Sequence, residues 1–290
     1  MNRFAPSNQI LYTSIKDEVI EPNFAKSDNR IISNVVENGI GIITCAEPLK
    51  RIPYEAFEFK GNLLSVTLPE GLECIDDNAF NSTSIAEIAI PDSVVEIGES
   101  VFWNCENLAK FSGKFATEDG RCLVVDGALK AIASLGLTEY TIPDGVEVIC
   151  ADVLSDGLNL EHLTLPSSVK RIKGSAFSDA SGLDELTLNE GLERLDGFAF
   201  ADCANIERIV IPSTVTEVGF PIFYNCFGLE ELVLLPIVPP SVSGVYGDGG
   251  YLWGEDIEVR IVVPQQSVES YRTAPMWKNY ASVIVGDKDV

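Results

Sequence analysis

The chain has 290 residues, of which 46% are hydrophobic, and its 44 acidic and 20 basic residues give a formal net charge of −24. This excess of acid excludes phosphate-backbone binding as a main activity, because nucleic-acid affinity comes largely from Lys and Arg neutralising phosphates. No apolar run reaches the roughly 18 residues that a membrane span needs. The chain starts with MNRFAPSNQ, which lacks the apolar stretch of a signal peptide. The sequence therefore predicts a folded acidic protein without a spanning segment or a signal peptide.

One sequence pattern recurs six times along the chain. Its copies read LLSVTLPEGLECIDDNAF (63–80), IAEIAIPDSVVEIGESVF (85–102), YTIPDGVEVICADVL (140–154), LEHLTLPSSVKRIKGSAF (160–177), LDELTLNEGLERLDGFAF (183–200) and IERIVIPSTVTEVGFPIF (206–223). The residue after the first strand is taken as the anchor of each copy. The anchors are Pro69, Pro91, Pro143, Pro166, Asn189 and Pro212, of which the last four are each 23 residues apart. A fixed period of this size predicts a solenoid, whose coils bury their apolar faces only against their neighbours.

Each copy predicts an opening strand before the anchor and a short closing strand after it. Apolar residues precede the anchor at −6, −3 and −1, and others follow it at +3 and +6. An aromatic column at +11 consists of Phe80, Phe102, Phe177, Phe200 and Phe223, with Leu154 in the same slot. Because side chains alternate along a strand, we expect these positions to point inward and positions −4 and −2 to point outward.

The segments around the repeat predict three regions. Residues 1–39 are expected to form an N-terminal cap, residues 40–235 the solenoid and residues 236–290 a C-terminal cap, all within one continuous unit. A degenerate coil is predicted from Ile40, Ile43, Cys45, Leu49, Ile52 and Phe57, all pointing inward. At the C-terminal end, the pattern predicts a Pro/Gly-rich loop at 236–256 and a strand at 257–264. A short helix and a closing strand are predicted within 267–285.

One repeat, at residues 108–136, departs from the pattern. Its second half is replaced by CLVVDGALKAIA at 122–133, in which two apolar runs flank Asp126-Gly127. This dipeptide is a strong hairpin signal. We therefore expect this coil to extrude a β-hairpin instead of closing.

The outward columns are the candidate binding surface, since solenoids often bind along such faces. The −4 column consists of Ser65, Glu87, Glu139, His162, Glu185, Arg208 and Glu231, and the −2 column of Thr67, Ala89, Thr141, Thr164, Thr187, Val210 and Val233. We expect this face to be acidic toward the middle and apolar toward Val210 and Val233. The predicted partner contacts are Glu139, His162, Thr164, Glu185, Thr187, Arg208, Val210 and Glu231. Two alternatives remain: Thr and Val favour strands without any binding role, and the 122–133 hairpin could be the binding surface instead.

The sequence offers no candidate catalytic, cofactor or metal residue. His162 is the only histidine, which removes most Ser/His and Cys/His arrangements. The seven cysteines are scattered singly, without a CxxC pair. Three of them, Cys105, Cys203 and Cys226, share a slot with Thr83, Gly157 and Ala180. This slot predicts small buried side chains, with a Cys203–Cys226 disulfide as the alternative.

The pattern LxxLxLPxxLxxIGxxAFxxC resembles the BspA-like leucine-rich repeat proteins of gut and oral anaerobes. The resemblance extends over roughly residues 40–235. Three further segments also resemble sequences of the family, namely IISNVVENGIGIITC (31–45), EDGRCLVVDGALKAI (118–132) and VVPQQSVESYRTAPMW (262–277). The resemblance implies a β-rich right-handed solenoid with a parallel strand ladder, few helices, one inserted hairpin and capped ends.

The same resemblance implies a function. Proteins similar to these are usually displayed on the bacterial surface, and the characterised ones are linked to adhesion and bind host proteins or other bacteria. The family has no catalytic motif to carry over. The expected protein is therefore a non-catalytic interaction module at the cell surface or secreted, with a protein or glycan partner and no nucleic acid or cofactor. A structural spacer in a larger surface protein and a carbohydrate-active enzyme are the alternatives. The enzyme would need two carboxylates facing one cleft, and the sequence singles out no such pair.

Overall fold

The computed structural model describes residues 4–25, 27–154, 159–244, 252–253 and 259–290. These residues form a β-solenoid with parallel strand ladders and very little helix, which confirms the predicted fold class. The chain divides into two compact units, Met1–Gly136 with Asp152–Asp156 and Leu137–Ala151 with Gly157–Val290. The division into caps at 1–39 and 236–290 around one continuous solenoid stays a prediction.

The first unit begins with an antiparallel sheet and continues as parallel coils. Its strands are, in chain order, β1 (Gln9–Ser14), β2 (Ile31–Glu37), β3 (Ile40–Cys45), β4 (Arg51–Ile52), β5 (Leu63–Thr67), β6 (Cys74–Ile75), β7 (Glu87–Ile90), β8 (Glu96–Ile97), β9 (Lys110–Gly113), β10 (Cys122–Val125) and β11 (Ala128–Ile132). A 3-10 helix lies at Ile15–Asp17. Strand β1 is antiparallel to both β3 and β5, and β2 is antiparallel to β3. The closing strands β4, β6 and β8 form a parallel ladder, and the opening strands β7 and β9 pair in parallel.

This antiparallel sheet corrects one part of the predicted degenerate coil. The inward placement of Ile40 is wrong, because its side chain is 44% exposed. Ile40 follows a tight turn in which Asn38 and Gly39 both have positive φ, and β3 then runs antiparallel to its neighbours. A residue next to such a turn lies at the open end of the sheet. The other predicted members of the coil are buried, namely Ile43, Cys45, Leu49, Ile52 and Phe57.

The predicted hairpin is present, but it is not extruded. Strands β10 and β11 are antiparallel, and Asp126 and Gly127 between them have φ of 48° and 78°. Positive φ at both central residues is the requirement of a type I′ turn. Most of the hairpin's apolar side chains are buried, including Cys122, Leu123 and Leu129, and Val124, Val125 and Ala128 are half-buried. The expectation of a protruding hairpin is therefore wrong, because these side chains fill the interior in place of a closing strand.

The second unit consists of two sets of opening strands and one ladder of closing strands. Its strands are, in chain order, β12 (Glu139–Thr141), β13 (Val148–Ile149), β14 (His162–Thr164), β15 (Arg171–Ile172), β16 (Glu185–Thr187), β17 (Arg194–Leu195), β18 (Arg208–Ile211), β19 (Glu217–Gly219), β20 (Glu231–Leu234), β21 (Ser241–Ser243), β22 (Arg260–Pro264) and β23 (Ile284–Asp287). Opening strands β12, β14 and β16 form one sheet, whereas β18, β20, β22 and β23 form another. Closing strands β13, β15, β17, β19 and β21 pair in parallel.

The C-terminal elements largely follow the prediction. Strand β22 corresponds to the predicted strand at 257–264, and α1 (Val268–Thr273) and β23 correspond to the helix and closing strand. Two 3-10 helices lie at Gln265–Ser267 and Trp277–Tyr280. The predicted loop at 236–256 contains strand β21, and its residues 245–251 and 254–256 lie outside the described residues.

The interior of both units is an aromatic stack, as the +11 column predicts. In the first unit the ring centroids of Phe57, Phe80 and Phe102 follow one another at 5.3 and 5.8 Å, and both pairs are stacked. In the second unit Phe200 stacks between Phe177 and Phe223 at 5.8 and 5.7 Å. The +3 and +6 residues of all six copies are also buried. Most coils therefore bury one ring against the next, with Leu154 in this slot of one coil. Burial of rings of this size dominates core energetics.

Candidate functional site

Six polar side chains form an exposed patch on β12, β14 and β16, which we call the three-strand face. Its members are Glu139, His162 and Glu185 of the −4 column and Thr141, Thr164 and Thr187 of the −2 column, and all six are exposed. The parallel register aligns each column from strand to strand, so that neighbours lie about 4.8 Å apart. Leu163 and Leu186 lie between the columns and are buried, because side chains alternate along a strand. Five of the eight predicted contacts are thus brought together here.

Carboxylates surround the single histidine on this face. The Nδ1 atom of His162 lies 3.3 Å from Oδ1 of Asp184 and 3.4 Å from Oε2 of Glu185. The imidazole is about half exposed, as the sequence predicts, so solvent and salt screen these contacts. The arrangement gives the face a negative potential. It supplies hydrogen-bond acceptors and hydroxyls rather than a catalytic pair held away from water.

A depression of about 360 Å³ lies on the three-strand face, lined by Glu139, Tyr140, Thr141, His162 and Thr164. Small-molecule sites commonly occupy roughly 300–1,000 Å³, so this depression lies near the lower end of that range. Tyr140 is half-buried in it, although it occupies the −3 slot, where Leu163 and Leu186 are buried in the following coils. The sequence reasoning missed Tyr140. The signal that could have found it is a tyrosine in an otherwise aliphatic column.

The other three predicted contacts, Arg208, Val210 and Glu231, lie in a different sheet, on β18 and β20. The Glu231 carboxylate accepts hydrogen bonds from Nε of Arg208 and from Nη1 of Arg260, both at 2.9 Å. The negative charge of Glu231 is therefore balanced by two arginines on neighbouring strands. These three residues thus belong to a different set of paired strands from the acidic part of the predicted face, although β16 and β18 are in contact.

The predicted apolar end of the face is also corrected. Val210 is half-buried, and Val233 is only 1% exposed. The register sets Val233 between Val210 and Val262, which is itself buried. Aligned valines on adjacent strands cover one another, so Val233 cannot serve as an exposed anchor for a partner.

The hairpin, the alternative binding surface, offers little exposed side chain. Within 122–133 only Asp126, at its tip, is exposed. Lys130 is largely buried, and its Nζ lies 2.8 Å from Oε1 of Glu99. The hairpin is thus mainly a packing element of the first unit.

The cysteines in the shared slot are buried, as predicted. Sγ of Cys105 donates to the carbonyl of Phe80, and Sγ of Cys203 and Cys226 donate to the carbonyls of Phe177 and Phe200. Burial raises the pKa of Cys105 to about 11 and of Cys226 to about 12, and it also raises that of Cys203. Since the thiolate is the nucleophile and the metal ligand, these thiols are inert. All seven cysteines are free, which removes the Cys203–Cys226 disulfide. The equivalent Gly157 lies outside the described residues.

In the part of the chain that the structure describes, no group of three or more His, Cys, Asp or Glu side chains is arranged to hold a metal ion. No helix among the same residues is long and apolar enough to span a bilayer.

Sequence comparison identifies the repeat. The chain matches the family described as "BspA type Leucine rich repeat region" in six copies, over residues 13–115 and 130–238. A comparison with curated proteins found no match.

Comparison with solved structures finds similar folds. A leucine-rich cell surface protein from Faecalibacterium prausnitzii A2-165 is 24% identical with a TM-score of 0.56, over 64% of this chain and 51% of that chain. The chain thus spans about half the length of that protein. The pneumococcal vaccine antigen PcpA is 17% identical with a TM-score of 0.44, over 74% of this chain and 70% of that chain. A leucine-rich repeat protein from Bacteroides ovatus ATCC 8483 is 20% identical with a TM-score of 0.36, over 82% and 76% of the two chains.

Proposed function

Because the chain belongs to the BspA-type leucine-rich repeat family, we propose that it is a non-catalytic binding module that contacts a partner protein through the three-strand face. The observation that carries the proposal is the set of six exposed polar side chains aligned on three strands, four of which line one depression. The proposed setting is the bacterial surface, in an adhesion-type role. The description of the Faecalibacterium prausnitzii protein as a cell surface protein supports this setting.

The charge of the face favours a basic partner segment. Glu139, Asp184 and Glu185 are all exposed on or beside it, and the whole chain carries a net charge of −24. Long-range attraction steers oppositely charged partners and raises their association rate. The threonine column adds hydroxyls that can donate or accept hydrogen bonds. We therefore expect the partner to present Lys or Arg side chains together with backbone or hydroxyl groups.

A selection experiment tests this proposal. Random peptides displayed on phage are selected on the immobilised full chain, and the affinity of the enriched peptides is measured by calorimetry. We expect enrichment of basic peptides and about a tenfold or greater loss of affinity for Glu139→Lys/Glu185→Lys, as for removal of close charge pairs at interfaces. Arg208 is not used, because it is already paired with Glu231.

The matched control is Glu147→Lys/Glu193→Lys, which changes the same charge at two exposed glutamates in the closing half of their coils. It should keep the affinity of the enriched peptides. Both double variants should retain the wild-type melting temperature, since exposed substitutions usually change stability by less than about 0.5 kcal/mol. Enrichment of peptides that bind both variants equally well would move the binding surface away from the three-strand face.

A further inference from the structure

A second surface of the second unit carries a pocket that the binding face does not include. It is formed where the closing strands β17, β19 and β21 end, and its volume is about 310 Å³. Its lining residues are Arg194, Asp196, Gly197, Phe198, Gly219, Phe220, Ser243 and Gly244. We call it the glycine-floored pocket, after its three glycines.

Close approach of the coils requires glycine in this floor. A Cβ built on Gly219 would lie 2.1 Å from the backbone nitrogen of Gly197. A Cβ on Gly197 would lie 3.0 Å from the carbonyl oxygen of Phe220. Contacts this short exclude larger residues unless the backbone shifts. These glycines therefore let consecutive coils pack closely, and they add no side chain to the pocket.

One wall of the pocket is a fixed chain of paired charges. Asp196 accepts from Nε of Arg194 at 2.6 Å and from Nη2 of Arg171 at 2.6 Å. Nη1 of Arg194 also lies 2.7 Å from Oε2 of Glu217. Two guanidinium and two carboxylate groups thus hold one another in place and sum to zero charge. Such a wall offers oriented donors and acceptors without a net field.

The other wall contains an aromatic residue in an unusual place. Phe198 has φ of 61°, a left-handed conformation that bulky residues rarely adopt. The same turn slot in other coils, also with positive φ, holds Glu55, Asn78, Ser100, Asp152 and Ser175. Phe198 is only half-buried, and its ring meets that of Tyr224 edge-on at 5.9 Å. The left-handed conformation is thus a regular feature of this turn, and an aromatic side chain in the slot is what distinguishes Phe198.

We propose that the glycine-floored pocket binds one monosaccharide unit of a neutral glycan. The C–H face of a pyranose ring packs against an aromatic wall. Its hydroxyls donate to the remaining lone pairs of the Asp196 carboxylate and accept from Nη2 of Arg194, since Nε and Nη1 are already paired. The pocket volume is near the lower end of small-ligand sites. The paired charges and the net charge of −24 disfavour sialylated or sulfated glycans. This site is separate from the proposed protein-binding face and does not depend on it.

An oligosaccharide array tests the proposal with the full chain. The array carries neutral hexose and N-acetylhexosamine oligosaccharides beside sialylated and sulfated ones, and the strongest neutral ligand is then titrated by calorimetry. We expect neutral glycans to bind and Phe198→Ser to lose about tenfold or more in affinity, as expected for losing an aromatic contact. Serine occupies the equivalent left-handed position at Ser175, so this variant should keep the fold. Arg194→Lys keeps the charge but not the fork, and it should show a similar loss.

The matched control is Phe59→Ser. Phe59 is also a phenylalanine with positive φ, of 58°, and it is 71% exposed in the first unit. This variant should bind the neutral glycan like the wild type. The proposal is overturned if the wild type binds no neutral glycan or only acidic ones. It is equally overturned if both pocket variants retain full affinity, or if Phe59→Ser loses as much affinity as Phe198→Ser.

Discussion

The aromatic column and the −4 column are set by the same 23-residue register, yet they behave differently along the second unit. Inside, Phe177, Phe200 and Phe223 repeat one ring from coil to coil. Outside, His162 pairs in register with Glu185, and Arg208 with Glu231. Each buried ring must fit the shape of the rings on either side of it. An exposed side chain is solvated by water and has no such packing constraint. The interior of this solenoid therefore restricts residue choice coil by coil, and the outer columns are free to differ.

The sharpest test of this difference is Phe200→Ala. Phe200 is fully buried and stacked on both sides, so its removal leaves a cavity in a core one coil wide. We expect the free energy of unfolding to fall by about 3–5 kcal/mol, measured by urea denaturation. His162→Ala on the outer column is the comparison and should change it by less than about 0.5 kcal/mol. Similar losses for the two variants would contradict the distinction between the columns.

The buried thiols should make the stability of the protein depend on pH. Burial raises the pKa of Cys226 from its ordinary value of 9.0 to about 12. A group whose pKa is raised by folding stabilises the protein fully below its unfolded pKa and loses that contribution as pH rises toward the folded pKa. We therefore expect the melting temperature to fall between pH 9 and 12, and Cys226→Ala to flatten part of this fall. Cys74→Ala, at a partly exposed site, is the control and should alter the fall less.

The smallest expected effect concerns the ion pair between Arg208 and Glu231 of the −4 column. Arg208 and Glu231 are 56% and 25% exposed, so solvent weakens their attraction. A double-mutant cycle with Arg208→Ala and Glu231→Ala should give a coupling energy below about 1 kcal/mol, and the coupling should shrink further in high salt. A coupling as large as the loss at Phe200 would mean that the outer columns also determine stability.

Much of the fold was predictable because the repeat fixes which residues meet. The aromatic column, the +3 and +6 positions and the Asp126-Gly127 hairpin all depend on local spacing, and spacing is visible in the sequence. The predicted burial of Ile40 and the predicted exposure of Val233 are wrong because both depend on neighbouring strands that the repeat spacing does not show. Ile40 lies beside a turn in an antiparallel sheet, and Val233 is covered by the valines aligned with it.

The candidate sites were less predictable for the same reason. The outer columns indicated Glu139, His162 and Glu185 correctly as exposed residues in one register. The break between the sheets at β16 and β18 has no counterpart in the repeat spacing. The glycine-floored pocket also needs residues from three coils. Its sequence signal is Phe198, in a slot that five other coils fill with polar residues.

The parallel register also has a mechanical consequence. Because strands one coil apart pair at an offset of 23 residues, as His162 does with Glu185, a coil that detaches at the end of a ladder frees one repeat length of chain. Fully extended, such a length measures about 76–83 Å. If a solenoid of this kind is pulled from both ends, its coils should detach one at a time, and each should release about this length of chain. Single-molecule stretching can count these steps. Such a solenoid would then behave as an extensible tether that loses its coils one at a time.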